Sequence, residues 1–395
     1  MTNNKKKYIP KLRFPEFQNN GEWNNVLIGD IIKIVTPQKK VPTLEYRKIG
    51  LFPIIDQSLK HIAGYSDDKT ALLNIHKCDY IIFGDHTCSI KLINFPFIQG
   101  ADGIKIFYSN NQCLHTHFLY QYLLAYPIHP NGYKRHFSEL KEQTIFYPTN
   151  IQEQKKIAGC LSSLDTYIDT TKRKLELLKE YKKGLMQQLF PRNGKNVPEL
   201  RFPEFTGEWA EKRLGDSFKE RKEKNRNDLP LLSLGEKGLL YQSDTNRKDN
   251  SNTDKSKYLR IALGDIAYNT MRMWQGRCVF VDKEGIVSPA YTVCQPKEGI
   301  DSMFHYYLFK THKMIEKFHR NSQGLVSDTL NLKFETFSKI KYFLPPSLTE
   351  QKKIADFLSK LDELIISESQ QLEALNAHKN GLMQRLFPKI STQDL

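Results

Sequence analysis

Between residues 153 and 191 the apolar positions fall at Ile157, Leu161, Leu164, Ile168, Leu175, Leu178, Leu185 and Leu189. Steps of four and three give the 3.5-residue period of a helical seam, interrupted by the polar Thr171 and Lys182. The same stripe returns at Ile354, Leu358, Leu361, Ile365, Leu372, Leu375, Leu382 and Leu386, interrupted by Glu368 and Lys379. Pro191 and Pro388 predict where each helix stops, because proline cannot continue the hydrogen-bond ladder. Two matched seams in one chain predict that the helices pair with each other as a coiled coil. A stripe of this kind would also suit docking of each helix onto its own domain. A seam of this length spans ~50 Å. Gly184 and Gly381 sit at equivalent places and suit a close helix approach or a partner surface, or are tolerated glycines near a fraying helix end.

The helices belong to a tandem repeat. From Glu153 to Pro191 and from Glu350 to Pro388 the two copies align at an offset of 197 without a gap, and 22 of 39 positions are identical. A second repeated word, Leu12-Arg-Phe-Pro-Glu-Phe17, returns as Leu200-Arg-Phe-Pro-Glu-Phe205. It is followed in both copies by Gly-Glu-Trp (Gly21–Trp23; Gly207–Trp209) and Gly-Asp (Gly29-Asp30; Gly215-Asp216). Between these words, residues 31–149 and 217–346 show little similarity that aligns. The predicted organisation is a globular region over 1–149, a helix over 150–191, a second globular region over 192–346, a second helix over 347–388, and a tail from 389 to 395. The fold class is mixed α/β with a pseudo-two-fold internal repeat.

In the first variable region the apolar run Tyr80–Phe83 predicts a buried strand and Gly84-Asp85 a turn. His86, Thr87, Ser89 and Lys91 would be presented just beyond it. In the second region Gly264-Asp265 precedes Asn269, Arg272, Gln275 and Arg277, and Ser288-Pro-Ala-Tyr291 follows. Arginine pairs bidentately with guanine and Asn or Gln with adenine, so these side chains, with Tyr291, are candidate readers of base edges. Any one of them could instead cap a turn or remain solvated, since phosphate contacts outnumber base contacts. Lysines of the stretch Lys219–Arg226 suit solvent or phosphate better than sequence reading.

Charge sharpens this view. The 395 residues carry a net charge of +15 and a pI near 9.3. Residues 1–149 hold +6 and residues 191–347 hold +7, so the helices are almost neutral. The globular regions would therefore hold a polyanion, and the helices would space them. No apolar stretch is long enough for a secretory leader or a membrane span. Six cysteines without a C-x-x-C pair predict reduced thiols in a cytoplasmic protein, with no zinc site. No G-x-G occurs, which argues against a dinucleotide or methyl-donor loop, and no P-loop can be built around Gly194-Lys195. Ser288-Pro-Ala-Tyr291 approaches the Pro-Pro-aromatic motif of amino-methyltransferases but lacks a cofactor loop. His115-Thr-His117 has no further ligand at metal spacing. These features predict a chain with no catalytic residues, no bound cofactor and no metal.

Glu153-Gln-Lys-Lys-Ile157 and Glu350-Gln-Lys-Lys-Ile354, each soon after a proline, are the most specific marks. With Leu-Arg-Phe-Pro-Glu-Phe opening each half, Gly84-Asp-His-Thr87, Met273-Trp-Gln-Gly276 and Gly285-Ile-Val-Ser-Pro-Ala-Tyr291, the chain resembles the specificity subunit of type I restriction–modification enzymes. The resemblance implies two target recognition domains, each binding half of a split sequence in double-stranded DNA. It implies two antiparallel helices that set the spacer and dock two modification subunits. Those subunits would bind S-adenosylmethionine and methylate adenine N6, and ATP- and magnesium-dependent restriction subunits would join them. The competing expectation is a standalone DNA-binding scaffold or repressor, which would share the charge and the duplication.

Overall fold

The computed structural model describes residues 8–75, 79–101, 103–132, 134–192, 194–235, 238–244, 253–326 and 329–389; Cys78 and residues 390–395 of the expected tail lie outside them. The chain forms two compact units. One comprises residues 1–172 with 370–395, and the other residues 173–369. Two long helices, Ile151–Gln188 and Leu348–Leu386, stop just short of Pro191 and Pro388. Each helix gives its first half to one unit and its last half to the other.

In the first unit a four-stranded antiparallel sheet runs in the order Ile32–Val35, Ile104–Ser109, Tyr80–Gly84, Ile90–Ile93. The Tyr80–Gly84 strand is buried throughout, because both of its faces are covered. Side chains alternate across a strand. Ile81 and Phe83 accordingly join a core with Phe118, Leu119 and Tyr122 of the helix Thr116–Ala125, while Tyr80 and Ile82 face Ile55 and Phe97. The latter two belong to a second sheet, ordered Gly64–Ser66, Phe52–Ile55, Phe97–Gln99, Leu72–Leu73 and containing the parallel pair of Phe52–Ile55 with Phe97–Gln99.

The second unit has the same main sheet, ordered Phe218–Glu220, Tyr291–Pro296, Ile266–Asn269, Cys278–Phe280. Ile266 and Tyr268 face a core with Phe304 and Phe309 of the helix Ser302–Phe309, whereas Ala267 faces Val279, Val287 and Val293. The repeat thus extends through regions whose sequences do not align. What they share is burial at alternate positions, which many apolar side chains satisfy.

The repeated words meet in space. Arg13 lies along Glu153 with two charge-assisted hydrogen bonds, Nε to Oε1 at 2.6 Å and Nη2 to Oε2 at 3.0 Å. Arg201 does the same to Glu350 at 2.7 and 2.8 Å. The Glu153 and Glu350 side chains are 0% and 1% exposed, so both carboxylates depend on these partners. Further donors complete each clamp: Asn20 Nδ2 to Glu153 Oε2 at 3.0 Å, and Trp209 Nε1 to Glu350 Oε1 at 3.2 Å. Next in the word, Gln154 bonds Cys113 O, Pro148 O and the His115 N–H. Gln351 bonds Gly299 O, Pro345 O and the Asp301 N–H. Each glutamine thereby ties its long helix to the start of the domain helix. Phe387 packs on Trp23, Phe118 and Tyr122, and Phe190 on Trp209 and Phe304, so the helix exits are seated as firmly as the entries.

Three of the four polar interruptions of the seams, Lys182, Glu368 and Lys379, are in ion pairs. Lys182 Nζ donates to Asp362 Oδ1 at 2.5 Å in the second unit, and Lys379 pairs with Asp165 in the first. These are the same pair at an offset of 197. Lys174 pairs with the buried Glu368. Within the second unit, 174 meets 368 and 182 meets 362; within the first, Asp165 meets Lys379 and Tyr167 meets Gln371. In each unit the two helix segments therefore run antiparallel. Ile157, Leu161, Leu175, Ile354 and Leu358 are buried. Leu164, Ile168, Leu178, Leu361, Ile365, Leu372 and Leu375 are half-buried. Gly184 and Gly381 mark no close approach, since an added Cβ would meet nothing within 4 Å at either.

His305 is buried in the second unit. Its Nδ1 lies 2.7 Å from Asp301 O and its Nε2 2.9 Å from the Tyr342 hydroxyl. A carbonyl only accepts, so Nδ1 carries the proton and Nε2 accepts from Tyr342. Burial pulls the imidazole pKa down to about 4, against a partial opposing pull from the Asp301 carbonyl.

These buried polar groups set measurable costs. Arg201→Ala strands the Glu350 carboxylate and lowers stability by ~3–5 kcal/mol, read from the urea transition, and Arg201→Met with Glu350→Leu recovers most of that loss. For His305 the folded pKa lies below the unfolded value near 6.5. Between those pH values the unfolded chain binds a proton that the folded chain refuses, so stability falls on acidification from pH ~6.5 to ~4, by up to ~3 kcal/mol. His305→Gln should remove that part of the slope in pH-dependent melting; an unchanged slope would refute the assignment.

Candidate nucleic-acid interface

In both units the central strand ends in a cluster of loops. In the first, Asp85 follows the strand and is buried. Its Oδ1 accepts from the Phe137 N–H at 2.9 Å and its carbonyl accepts from the His136 N–H at 2.9 Å. The Asn131 N–H donates to His136 Nε2 at 3.0 Å, so His136 carries its proton on Nδ1 and donates to Asp85 O at 3.1 Å. Thr87 Oγ1 and Ser89 Oγ both donate to Gln57 O, at 2.7 and 3.0 Å. His86 Nδ1 lies 3.1 Å from Lys134 O. Three loops are thereby bound together: 56–61, 84–90 and 129–137.

Lys91 corrects its sequence reading. It is 6% exposed, and its Nζ donates to Asp56 O at 2.7 Å and Lys60 O at 2.6 Å. Burial lowers its pKa from the ordinary lysine value. The side chain is an inward brace for the 56–60 loop, placed there by strand alternation between Ile90 and Leu92. Thr87 and Ser89 likewise use their hydroxyls inside the loop cluster, although Thr87 is exposed. Among the exposed cations on this scaffold are Lys60, Lys134 and Arg135, of which Lys134 is paired with Glu139. Sequence reasoning missed them; the adjacent Lys134-Arg135 pair was the available signal.

In the second unit the strand Ile266–Asn269 ends at Asn269, whose Oδ1 accepts from the Met271 N–H at 2.9 Å. Asn269 is thus a turn cap, the local bonding to which asparagine is suited. Its strand partner Tyr291 is half-buried, with its ring against the valine core. Thr270 joins the loop to Ala290 O through its N–H at 3.2 Å and its hydroxyl at 3.0 Å. The Leu332 N–H donates to Thr270 O at 2.8 Å. Trp274 Nε1 donates to Met271 O at 3.1 Å, and its ring stands 5.6 Å from that of His319. Gly276 closes the turn at φ 72°, where a Cβ would also lie 2.9 Å from Ile315 Cδ1. Arg272 is half-buried, while Gln275 and Arg277 are exposed, as are Met271, Pro289 and Ala290.

The two Gly-Asp words are not equivalent, contrary to their apparent parallel in sequence. Gly84-Asp85 closes its strand, whereas Gly264-Asp265 opens its own. Asp265 is buried and held by Arg221 at 2.7 and 3.1 Å; in the first unit Asp79 also comes just before its strand and is bound to His117 Nε2 at 2.6 Å. His115-Thr-His117 is accounted for by that contact and by packing. Among the described residues no group of three or more His, Cys, Asp or Glu could hold a metal ion, and no helix is long and apolar enough to cross a membrane. The first loop cluster offers ammonium and guanidinium donors and the second amide and guanidinium donors at the end of a sheet, a chemistry suited to base edges and phosphates.

Comparison with known proteins gives this geometry its context. The model of the type I restriction modification DNA specificity domain matches twice, at residues 20–180 and 206–377. A putative type I restriction enzyme MjaX specificity subunit from Methanocaldococcus jannaschii is 28% identical over 270 residues, covering 63% of this chain and 60% of that protein. The type I restriction enzyme MjaVIII specificity subunit of the same organism is 25% identical over 424 aligned positions, covering 97% of this chain and 95% of that one. The crystal structure of a type I restriction-modification S subunit from M. genitalium has the same fold, with a TM-score of 0.67 at 17% identity over 97% of this chain and 100% of that one. With matches spanning both units, the chain belongs to the type I restriction-modification DNA specificity family and carries two copies of its domain.

Proposed function

We propose that this chain is the DNA-reading subunit of a type I restriction–modification complex, each unit recognising one half of a split duplex target. The observation that carries this reading is one sheet built twice, with the same strand order but differently furnished loops at the same strand end. Two readers of different words on a common frame require that arrangement. Exposed Lys60, Lys134 and Arg135 in the first unit and Gln275 and Arg277 in the second are the side chains positioned to meet DNA. The paired long helices set the spacer between half-sites and dock two modification subunits. Those subunits bind S-adenosylmethionine and methylate adenine N6, and the ATP- and magnesium-dependent restriction subunits join them. The chain itself is the non-catalytic member, and the reactive base is flipped into a modification subunit's pocket.

Single-molecule methylome sequencing tests this reading, in a host expressing the chain with its modification subunit and in a deletion of this chain alone. One split motif with N6-methyladenine on both strands should vanish with the deletion. Methylation that persists, together with partner-free DNA binding at moderate salt, would favour a standalone scaffold. At residue level, Gln275→Ala should cost ~1–3 kcal/mol at one half-site and relax its sequence preference, while Lys134→Ala should weaken binding to all sequences and flatten the salt dependence. Lys91→Met, by contrast, should lower the melting temperature of the chain and leave the salt slope of DNA binding unaltered.

A further inference from the structure

A groove of about 960 Å³ opens in the second unit, between the end of the first long helix and the helix His312–Asn321. Its floor is apolar, with Met186, Ile315 and Phe343 half-buried in it. Around it stand Lys179, Lys183, Lys310, Lys313 and Lys317, and no carboxylate is among the lining residues. Among the described residues none of these five ammonium groups has a carboxylate within 4.0 Å. Lys313 instead reaches Pro191 O and Arg192 O, at 3.3 and 3.1 Å, and Lys317 reaches Lys341 O. Lys310 stands 4.2 Å from the centre of the Tyr306 ring. Burial holds Lys313 and Lys317 below the ordinary lysine pKa. Glu211 offsets part of this for Lys317, but Lys313 is partly desolvated with no opposing anion, a cost that an incoming carboxylate recovers.

The first unit has a hollow at the equivalent place, of about 490 Å³, lined by Asn380, Met383, Gln384 and Pro388. At the repeat offset these stand for Lys183, Met186, Gln187 and Pro191. Phe118 and Phe304 occupy matching positions against Trp23 and Trp209, and counting onward from them puts Leu124 where the second unit has Lys310. The shared frame forms the hollow twice; Lys11 and Lys389 line the first, whereas Lys179, Lys183, Lys310, Lys313 and Lys317 crowd the second. A structural by-product of the frame would not differ in this way.

We propose that this groove binds an acidic amphipathic segment of a partner protein, at one site per chain. Its carboxylates would meet Lys183, Lys310 and Lys313, and its apolar side chains would cover Met186, Ile315 and Phe343. Methionine and long aliphatic lysine stems make such a surface adaptable to the segment's side chains. A DNA backbone brings charge but no apolar group for the floor, so it fits the groove less well than a protein segment does. The reading is independent of the proposed loop contacts with DNA, which lie at the strand ends.

The test uses the full chain and a short fluorescein-labelled peptide of repeating Glu-Glu-Leu-Phe units, followed by fluorescence anisotropy. The peptide should bind, and Lys183→Glu with Lys310→Glu should weaken it about tenfold or more, as charge reversal at a rim does. Both lysines are exposed, so the variant should keep the wild-type melting curve. Asn380→Glu, in the hollow of the first unit, should leave affinity unchanged. The proposal is overturned if the peptide fails to bind, or if its Gln-for-Glu or Ser-for-Leu/Phe analogue binds equally well. It is also overturned if a non-specific DNA duplex displaces the peptide and loses affinity to the same extent in the double variant, since the groove would then be a phosphate track.

Discussion

The architecture depends on two carboxylates that cannot stand alone. Glu153 and Glu350 sit in the first turn of their helices, where the helix dipole favours a negative charge, yet both are removed from water. Each is made tolerable by an arginine from a word about 140 to 150 residues earlier in the chain. The bidentate geometry fixes the arginine, and its remaining donors then hold the carbonyls that follow: Asn20 and Gly21 in one unit, Thr206 and Gly207 in the other. The chain leading into each domain is thus fastened to the helix leading out of it, which explains why two words so far apart are both repeated.

Asp165 and Asp362 supply a second fixed point about three turns further on. Each takes a lysine from the antiparallel helix segment, and its other oxygen accepts from the domain helix: Gln121 Nε2 at 3.0 Å for Asp165, Tyr307 hydroxyl at 2.7 Å for Asp362. An amide in one unit and a phenol in the other serve the same carboxylate from the same place. The constraint is on having a donor there, and the residue type is free to change.

This separation explains what was readable in the sequence. The repeated words, the two seams, the proline stops and the buried Tyr80–Phe83 strand could all be found, because each depends on local spacing or on identity between copies. The interrupting Lys182 and Lys379 could be noticed but not explained, since their partners lie 180 and 214 residues away in sequence. The shared sheet of the variable regions left no alignable trace. On one face of the central strand Tyr80 and Ile82 do in the first unit what Ala267 does in the second, so side chains of very different size satisfy the same alternation. Lys91 was misread for a related reason. A lysine in a polar stretch looks solvated unless the carbonyls that receive it, here on residues 56 and 60, are known.

The same logic bears on where recognition can evolve. A side chain that reads a base must be exchangeable without disturbing the fold, so it has to lie outside the hydrogen-bond brackets. Thr87, Ser89, Lys91 and Asn269 are inside them: replacing any one loosens a loop before it alters a contact. Gln275, Arg277, Lys60 and Arg135 are outside, carried on loops whose ends are already fixed by Asp85, His136 and Thr270. The buried polar groups beneath place the exposed groups precisely, which is what any reading side chain would need. The chemistry that looks most suited to DNA along the chain is therefore partly spent on holding the loops in shape; of the groups left exposed, Gln275 and Arg277 stood in that pattern, whereas Lys60 and Arg135 did not.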